Sequence, residues 1–339
     1  MVEYEYEVTL SMPIYNVASY VERALLSALN QTFESIEFLL VNDRGIDNSM
    51  EIVHTIISGH PREKDIRIIE HEKNIGLGAA RNTAIDNAKG RYLFFMDSDD
   101  EITSDCIDIM YSKIVKNNVD FVAGSYNVIN CVGEIEEIMK YNDCFLYDSN
   151  IISLYVKDRQ KIFTPIWNKL YNIDFLRINK IYCIPCCLNE DILFLLHVML
   201  KASSCILISN VSLLYFLRDN SITGVVRKGI DDKLVKQHID IFREMQYLLN
   251  QNRKNMVYIY GYMLSFIFSE TITIISSDSL LNTSKKIYVN KLYFNIDLSS
   301  LISLFCNNIK YVFEYLFVKL SFSIKCFFVM LIKCKMKYV

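Results

Sequence analysis

Proline is scarce, with 4 residues in a chain of 339, and glycine contributes only 10. Such a chain is neither collagen-like nor a low-complexity linker array. No charge sign is in excess either: 36 Lys and Arg face 39 Asp and Glu, for a formal charge of -3. With 52% of residues hydrophobic, that balance excludes intrinsic disorder. A pI near 6.0 provides no basic face for phosphate backbones, so no nucleic-acid partner is expected. The first seven residues hold Glu3, Glu5 and Glu7 but no Lys or Arg, so no signal peptide is expected at this start. The 10 cysteines are then expected to remain reduced thiols in a cytoplasmic protein. Long hydrophobic runs are missing as well. In the apolar C-terminal third the charge-free stretches, such as residues 255–269, fall short of the ~18 residues that a spanning helix requires.

What the chain does have is alternation. Residues 8–12 form an apolar run that stops at Pro13. Residues 19–30 carry Val21, Leu25, Leu26 and Leu29 at helical spacing, with Ser19 and Glu22 in the spacing of a capping box. Residues 36–41 are apolar but for Glu37, and read as a strand buried on both faces of a parallel sheet. Helices over 50–57, 79–88 and 104–115 then alternate with strands over 66–70, 92–96 and 120–124. The pattern predicts an α/β domain with a mostly parallel central sheet and flanking helices. After Tyr126 it loosens, up to a helix over 191–200 and two apolar runs at 205–208 and 212–217. From Asp231 onward everything reads as helix, which places a boundary near residue 225.

The tail has its own signature. Residues 301–339 contain six lysines (310, 319, 325, 333, 335 and 337) and one acid, Glu314. Phe313, Leu316, Phe317, Leu320, Phe322, Phe327, Phe328 and Leu331 lie between them. Two readings fit this pattern: an amphipathic region on an anionic membrane surface, or a packed helical subdomain with a solvated lysine edge.

Ligands of parallel α/β sheets bind at the carboxyl ends of the strands. The segments there are Pro13-Ile14-Tyr15-Asn16, Asn42-Asp43-Arg44-Gly45, Asn74 to Gly78 with Arg81 and Asn82, and Asp97-Ser98-Asp99-Asp100-Glu101. The last places four carboxylates within five residues. They repel one another unless a cation lies among them, and hard divalent ions such as Mn2+ or Mg2+ take such oxygen ligands. Capping of the following helix is the other use for this charge. Gly76 and Gly78 do not complete a dinucleotide fingerprint, since the third glycine is absent and the motif follows the third strand. That disfavours a Rossmann oxidoreductase. The loop still offers close backbone approach, a helix start and Arg81 to a diphosphate. Cys183 and Cys186 form one CxxC spacing with no second pair or matching histidines, so loop thiols rather than zinc are expected.

Together these segments resemble the family 2, GT-A fold, inverting glycosyltransferases of bacteria, over about residues 5–225. The resemblance extends through Gln31-Thr32-Phe33, Asp47 with Ser49, Trp167-Asn168-Lys169-Leu170-Tyr171, Glu190-Asp191 and residues 215–223. It implies a nucleotide-sugar half over 1–125, an acceptor half over 126–225 and a helical region over 226–339. It further implies a UDP-sugar donor, with Pro13 and Asp43 at the base and ribose, Asp97 at the ribose, and Tyr15, Asn74 and Ser98 also lining the donor site. Arg81 falls near the diphosphate or sugar, and Asp99 on the Mn2+ or Mg2+. Asp191, paired with Glu190, matches the general base. Arg218, with Ser221 and Thr223, is similar to a segment that closes over the diphosphate. Trp167 either stacks on an acceptor sugar or packs in the core. Arg44 departs from the usual glycine of the second loop. The processive Gln-x-x-Arg-Trp element is absent, which favours transfer of one sugar to a saccharide or lipid-linked glycan. A nucleotide-sugar-binding module without catalysis is the rival reading.

Overall fold

The computed structural model describes residues 3–157, 165–185, 189–218, 230–252 and 255–336. The chain divides into two compact units, one of residues 1–151 and 159–218, the other of 152–158 and 219–339. The expected boundary near residue 225, with Ser221, Thr223, Cys186 and Cys187, lies outside the described residues.

The first unit opens with β1 (Tyr6–Ile14), α1 (Val21–Leu29), β2 (Ile36–Asn42), α2 (Ser49–Ile57), β3 (Ile66–Glu70), α3 (Leu77–Asn87) and β4 (Gly90–Phe95). The four strands run parallel in the order β3-β2-β1-β4. Every residue of β2 is buried, as expected for a strand that is apolar over Phe38 to Val41. Glu37 is the charged exception. Its carboxylate accepts from Thr9 Oγ1 at 2.6 Å and from Arg67 Nη2 at 2.6 Å, so the burial is compensated. The Ser19–Glu22 capping box does not form. Tyr20 occupies the N-cap without a side-chain bond, and the Val17 carbonyl accepts from the Tyr20 and Val21 amides instead.

Beyond β4 the sheet becomes mixed. It continues through β5 (Glu101–Ile102), α4 (Cys106–Asn117), β6 (Phe121–Ile129), β7 (Ile135–Met139), β8 (Cys144–Tyr147), α5 (Ser149–Lys157), β9 (Lys169–Asn172), α6 (Ile173–Ile178), α7 (Asp191–Lys201) and β10 (Ser204–Phe216). The order β3-β2-β1-β4-β9-β6-β10-β5 places β9 antiparallel to both β4 and β6. The two apolar runs at 205–208 and 212–217 are one strand, β10, whose register shifts between Ile208 and Leu213. Its far end pairs with β5, so the segment after β4 is fastened between two strands.

The second unit is helical: residues 152–157 of α5, then α8 (Asp232–Gln251), α9 (Met256–Ser276), α10 (Asn282–Lys291), α11 (Leu298–Asn307), α12 (Ile309–Lys319) and α13 (Phe322–Met336). Tyr155 stacks on Tyr262 of α9, with ring centres 5.4 Å apart. The reading that no C-terminal segment reaches spanning length needs correction. The run does not end at Ser269, because α9 continues through Glu270, whose carboxylate meets His238 Nδ1 at 2.6 Å. α9 is thus long and apolar enough to cross a membrane by length and composition, while 67% of its most apolar window is buried inside the protein.

Candidate functional site

Each of the first four strands delivers its following loop to the same sheet edge, and the hydrogen bonds show what those loops do. At the end of β1, Pro13 is buried opposite Val41, whereas Tyr15, just beyond the strand, is 45% exposed. Asn16 adopts a positive φ of 51°, and its Oδ1 accepts from the Ile46 amide at 2.8 Å. Asp47 accepts from the Ala18 amide and from Ser49, which hold its carboxyl below the usual range despite partial burial. The two loops are therefore laced together.

Asp43 is buried, and its carboxylate has three partners. It meets His71 Nδ1 at 2.7 Å and accepts the Ile75 and Gly76 amides at 2.9 Å each. This side chain ties the second loop to the start of α3. Arg44, at φ 56°, points outward to Glu70 at 3.1 Å and to the His71 carbonyl. Asn74 remains exposed on the same rim.

At α3 the geometry closes. Arg81 is 3% exposed and lies one turn into the helix. Its Nη2 donates to Asp97 Oδ1 at 2.7 Å, and its Nη1 donates to Glu190 Oε1. Asn82 secures the same neighbourhood by exchanging two 2.8 Å bonds with the backbone of Cys183. Gly78 makes this approach possible, because a Cβ there would lie 2.6 Å from the Ile184 carbonyl oxygen and 3.2 Å from Glu190 Cβ. The acidic turn after β4 and the acidic pair at the start of α7 are thus joined by one guanidinium.

Asp97, Asp99 and Asp100 carry oxygens that all lie within 4.8 Å of one another. Burial and the Asp97 charge push Asp99 up to about 6, while Arg218, 2.6 Å from its Oδ2, opposes the shift. Asp100 is fully buried and raised well above the carboxylate range by burial and its two neighbours. One oxygen, Oδ1, accepts from the Phe216 amide at 3.0 Å, but Oδ2 is buried with no partner among the described residues. An all-oxygen, mutually repelling cluster with an orphaned buried oxygen fits a hard divalent cation. Ser98 is buried in the same turn.

Asp191 is the first residue of α7. Burial first, then the Glu190 charge, push its carboxyl up to about 7, with Arg81 opposing. That places a proton acceptor near neutral pH, as a general base requires. Trp167 is 7% exposed, stacked on Tyr215 at 5.4 Å and edge-on to Tyr126 at 4.8 Å. One of its faces thus rests on a protein ring.

Several residues of this neighbourhood escape the sequence reading. Arg23, on α1, donates to the Asp99 carbonyl at 2.7 Å, pairs with Glu101 at 2.8 Å and lies 3.5 Å over the Phe216 ring. Nothing local marks it. Lys169 was marked only by lying between Trp167 and the apolar pair Leu170-Tyr171. It is buried, donates to the Pro165 carbonyl at 2.6 Å and is lowered to about 7 by burial, with Asp191 opposing. His71, which holds Asp43, was marked only by following a strand.

Comparison with known proteins adds to this geometry. The sequence profile described as Glycosyl transferase family 2 matches residues 9–181, more than half of the chain. Glycosyltransferase GlyA of Streptococcus pneumoniae is 37% identical over 176 residues, covering 49% of this chain and 24% of GlyA. The UDP-Glc:alpha-D-GlcNAc-diphosphoundecaprenol beta-1,3-glucosyltransferase WfgD of Escherichia coli is 32% identical over 126 residues, covering 37% of this chain and 48% of WfgD. The match thus spans less than half the length of either relative. The crystal structure of S. aureus TarS 1-349 in complex with UDP-GlcNAc superposes with a TM-score of 0.57 at 17% identity, covering 91% of this chain and 81% of that one. The shared architecture is the GT-A fold, and the chain belongs to glycosyl transferase family 2.

Proposed function

We propose that the protein transfers a single hexose from a UDP-sugar, with inversion, to a saccharide or lipid-linked glycan of a bacterial surface polysaccharide. One observation carries the reading: Arg81 gathers Asp97 of the acidic turn and Glu190 of the acidic pair on one guanidinium. A leaving-group site and a base site then stand side by side. The bacterial relatives support it through their activities, WfgD as a UDP-glucose enzyme on a diphosphoundecaprenol substrate and TarS through its bound UDP-GlcNAc.

In this reading the nucleoside rests against Pro13, Tyr15, Asp43 and Asn74. Asp97 and Ser98 face the ribose and diphosphate, with Arg81 and Arg218 beside them. Asp99, with Asp97 and Asp100, would hold Mn2+ or Mg2+, which when bound supplies neutralisation of the charge left on the diphosphate. Asp191 removes the proton from the acceptor hydroxyl as its oxygen attacks the anomeric carbon. The carbon–diphosphate bond breaks on the opposite face. A single displacement needs one base and yields inversion, unlike the paired carboxylates of double displacement. Glu190, neutralised by Arg81, holds Asp191 at the helix start. Trp167, through Tyr215, backs the acceptor side. A lipid-linked acceptor places the enzyme in the cytoplasm, peripheral on the inner face of the cell membrane.

A donor-hydrolysis screen across UDP-, GDP- and TDP-sugars, with and without Mn2+, tests the reading. Hydrolysis of a UDP-sugar that needs Mn2+ and is lost in Asp99→Asn is expected. Binding of UDP-sugars without any turnover, with or without acceptor, would identify a non-catalytic binding module instead.

A further inference from the structure

The last two helices bury one face and leave a second uncovered. On α12, Tyr311, Glu314, Phe317 and Val318 are buried, and Phe317 meets Phe268 of α9 with ring centres 4.9 Å apart. Ile309, Phe313 and Leu316 follow at i, i+4 and i+7, which is another single face, and they are 84%, 52% and 59% exposed. α13 repeats the arrangement. Val329 is buried, whereas Ile324, Phe327, Phe328 and Leu331, at i, i+3, i+4 and i+7, are exposed. Single exposed apolar residues are ordinary, but exposed stripes on two successive helices mark an interaction surface.

Charge selects the occupant. Six lysines stand against one acid across residues 301–339. That acid, Glu314, is 2% exposed, accepts from Ser265 Oγ at 2.8 Å and meets Lys310 Nζ at 3.5 Å. Lys325 is buried as well, so among the described residues of α12 and α13 the charge left facing water is that of Lys310 and Lys319. Lys310 and Lys319 are exposed at the two ends of the α12 stripe. A second copy of this surface would set lysines against lysines, whereas anionic headgroups complement them. We infer that α12 and α13 lie in the interface of an anionic phospholipid bilayer, with the Phe313–Leu316 and Phe327–Leu331 stripes among the acyl boundaries and the lysines at the headgroups. The geometry suits a helix resting in the interface plane, which needs an apolar face and a basic polar face rather than spanning length. This inference rests on the lipid-linked acceptor proposed above, because an enzyme held at the bilayer meets such an acceptor within the surface that carries it.

The test is sedimentation of the full chain with vesicles of phosphatidylcholine alone or mixed with phosphatidylglycerol, at low and high salt. Binding only to the mixed vesicles, weakened by salt, is expected. The pairs Phe313→Ser with Leu316→Ser, and Phe327→Ser with Leu331→Ser, should each lower the partition by at least about tenfold, since each removes two apolar anchors. Hydrolysis of a soluble UDP-sugar should not change in either pair, and the Phe327→Ser with Leu331→Ser pair, which leaves the Phe313–Phe268 ring contact at 5.7 Å in place, should keep the melting temperature. Brominated-lipid quenching of a Phe313→Trp chain supplies a second readout. The inference is overturned if the chain ignores anionic vesicles, binds neutral ones equally, keeps full binding in both pairs, or hides the stripes in a self-associated dimer. An unaltered chain that hydrolyses a UDP-sugar but does not bind anionic vesicles overturns the membrane surface alone, and one that binds them without any hydrolysis overturns the enzymatic reading alone.

Discussion

Asp97 and Glu190, separated by 93 positions in the chain, share the guanidinium of Arg81. The arginine and Glu190 side chains are 4% and 6% exposed, so the pair cannot rely on water for compensation. Arg81→Met is therefore expected to destabilise the protein by about 3–5 kcal/mol, the usual cost of stranding one partner of a buried ion pair. Arg81→Lys keeps the charge but not the fork, and a single ammonium cannot reach both carboxylates with the same geometry. Calorimetry of both variants, beside their pH–rate profiles, checks this. Because the Arg81 cation opposes the rise of the Asp191 pKa, the acid limb should move to higher pH in Arg81→Met.

Asp191 itself gives a pH dependence. Its carboxyl is raised to about 7 and must be ionised to accept a proton, so kcat/KM should rise with pH up to about 7 and then level. Asp191→Asn should lower kcat by about 10²–10⁴-fold with little change in donor KM. Stability runs the opposite way. The folded carboxyl binds its proton more tightly than the unfolded one, so its contribution is present at low pH and is lost as pH rises toward 7. Asp191→Asn should thus raise the melting temperature more at pH 8 than at pH 5, which paired melts would reveal.

Gly78 tests the packing beneath the site. Alanine is the better helix former, yet here its methyl group would sit 2.6 Å from the Ile184 oxygen. Gly78→Ala should cost about 1–3 kcal/mol, as overpacking against backbone does, and should lower kcat by displacing Glu190. Unchanged turnover in a fully folded Gly78→Ala chain would show that the segment before α7 adjusts freely.

The parallel half of the sheet was legible because its signals are local. Apolar runs such as Phe38 to Val41 and helical spacing such as Val21, Leu25 and Leu29 need no distant partner to interpret. β9 was not legible. Four residues, Lys169 to Asn172, become a strand only because β4 and β6 flank them, and that pairing is set by tertiary contacts. A register shift disguised β10 as two pieces. At the site, residue types pointed to the acidic turn, but spacing could not show that Asp43 would be taken up by His71 and two amides. Nor could it place Arg23 under Asp99, since the two meet only through the fold.

The shared arginine also constrains how such enzymes diversify. Exchanging the 183–191 segment with that of a relative, to alter acceptor preference, would leave one branch of the Arg81 fork facing a foreign residue and loosen Asp97 as well. Functional chimeras of this protein should therefore require the α3 start, the acidic turn and the α7 start to travel together as one inherited block.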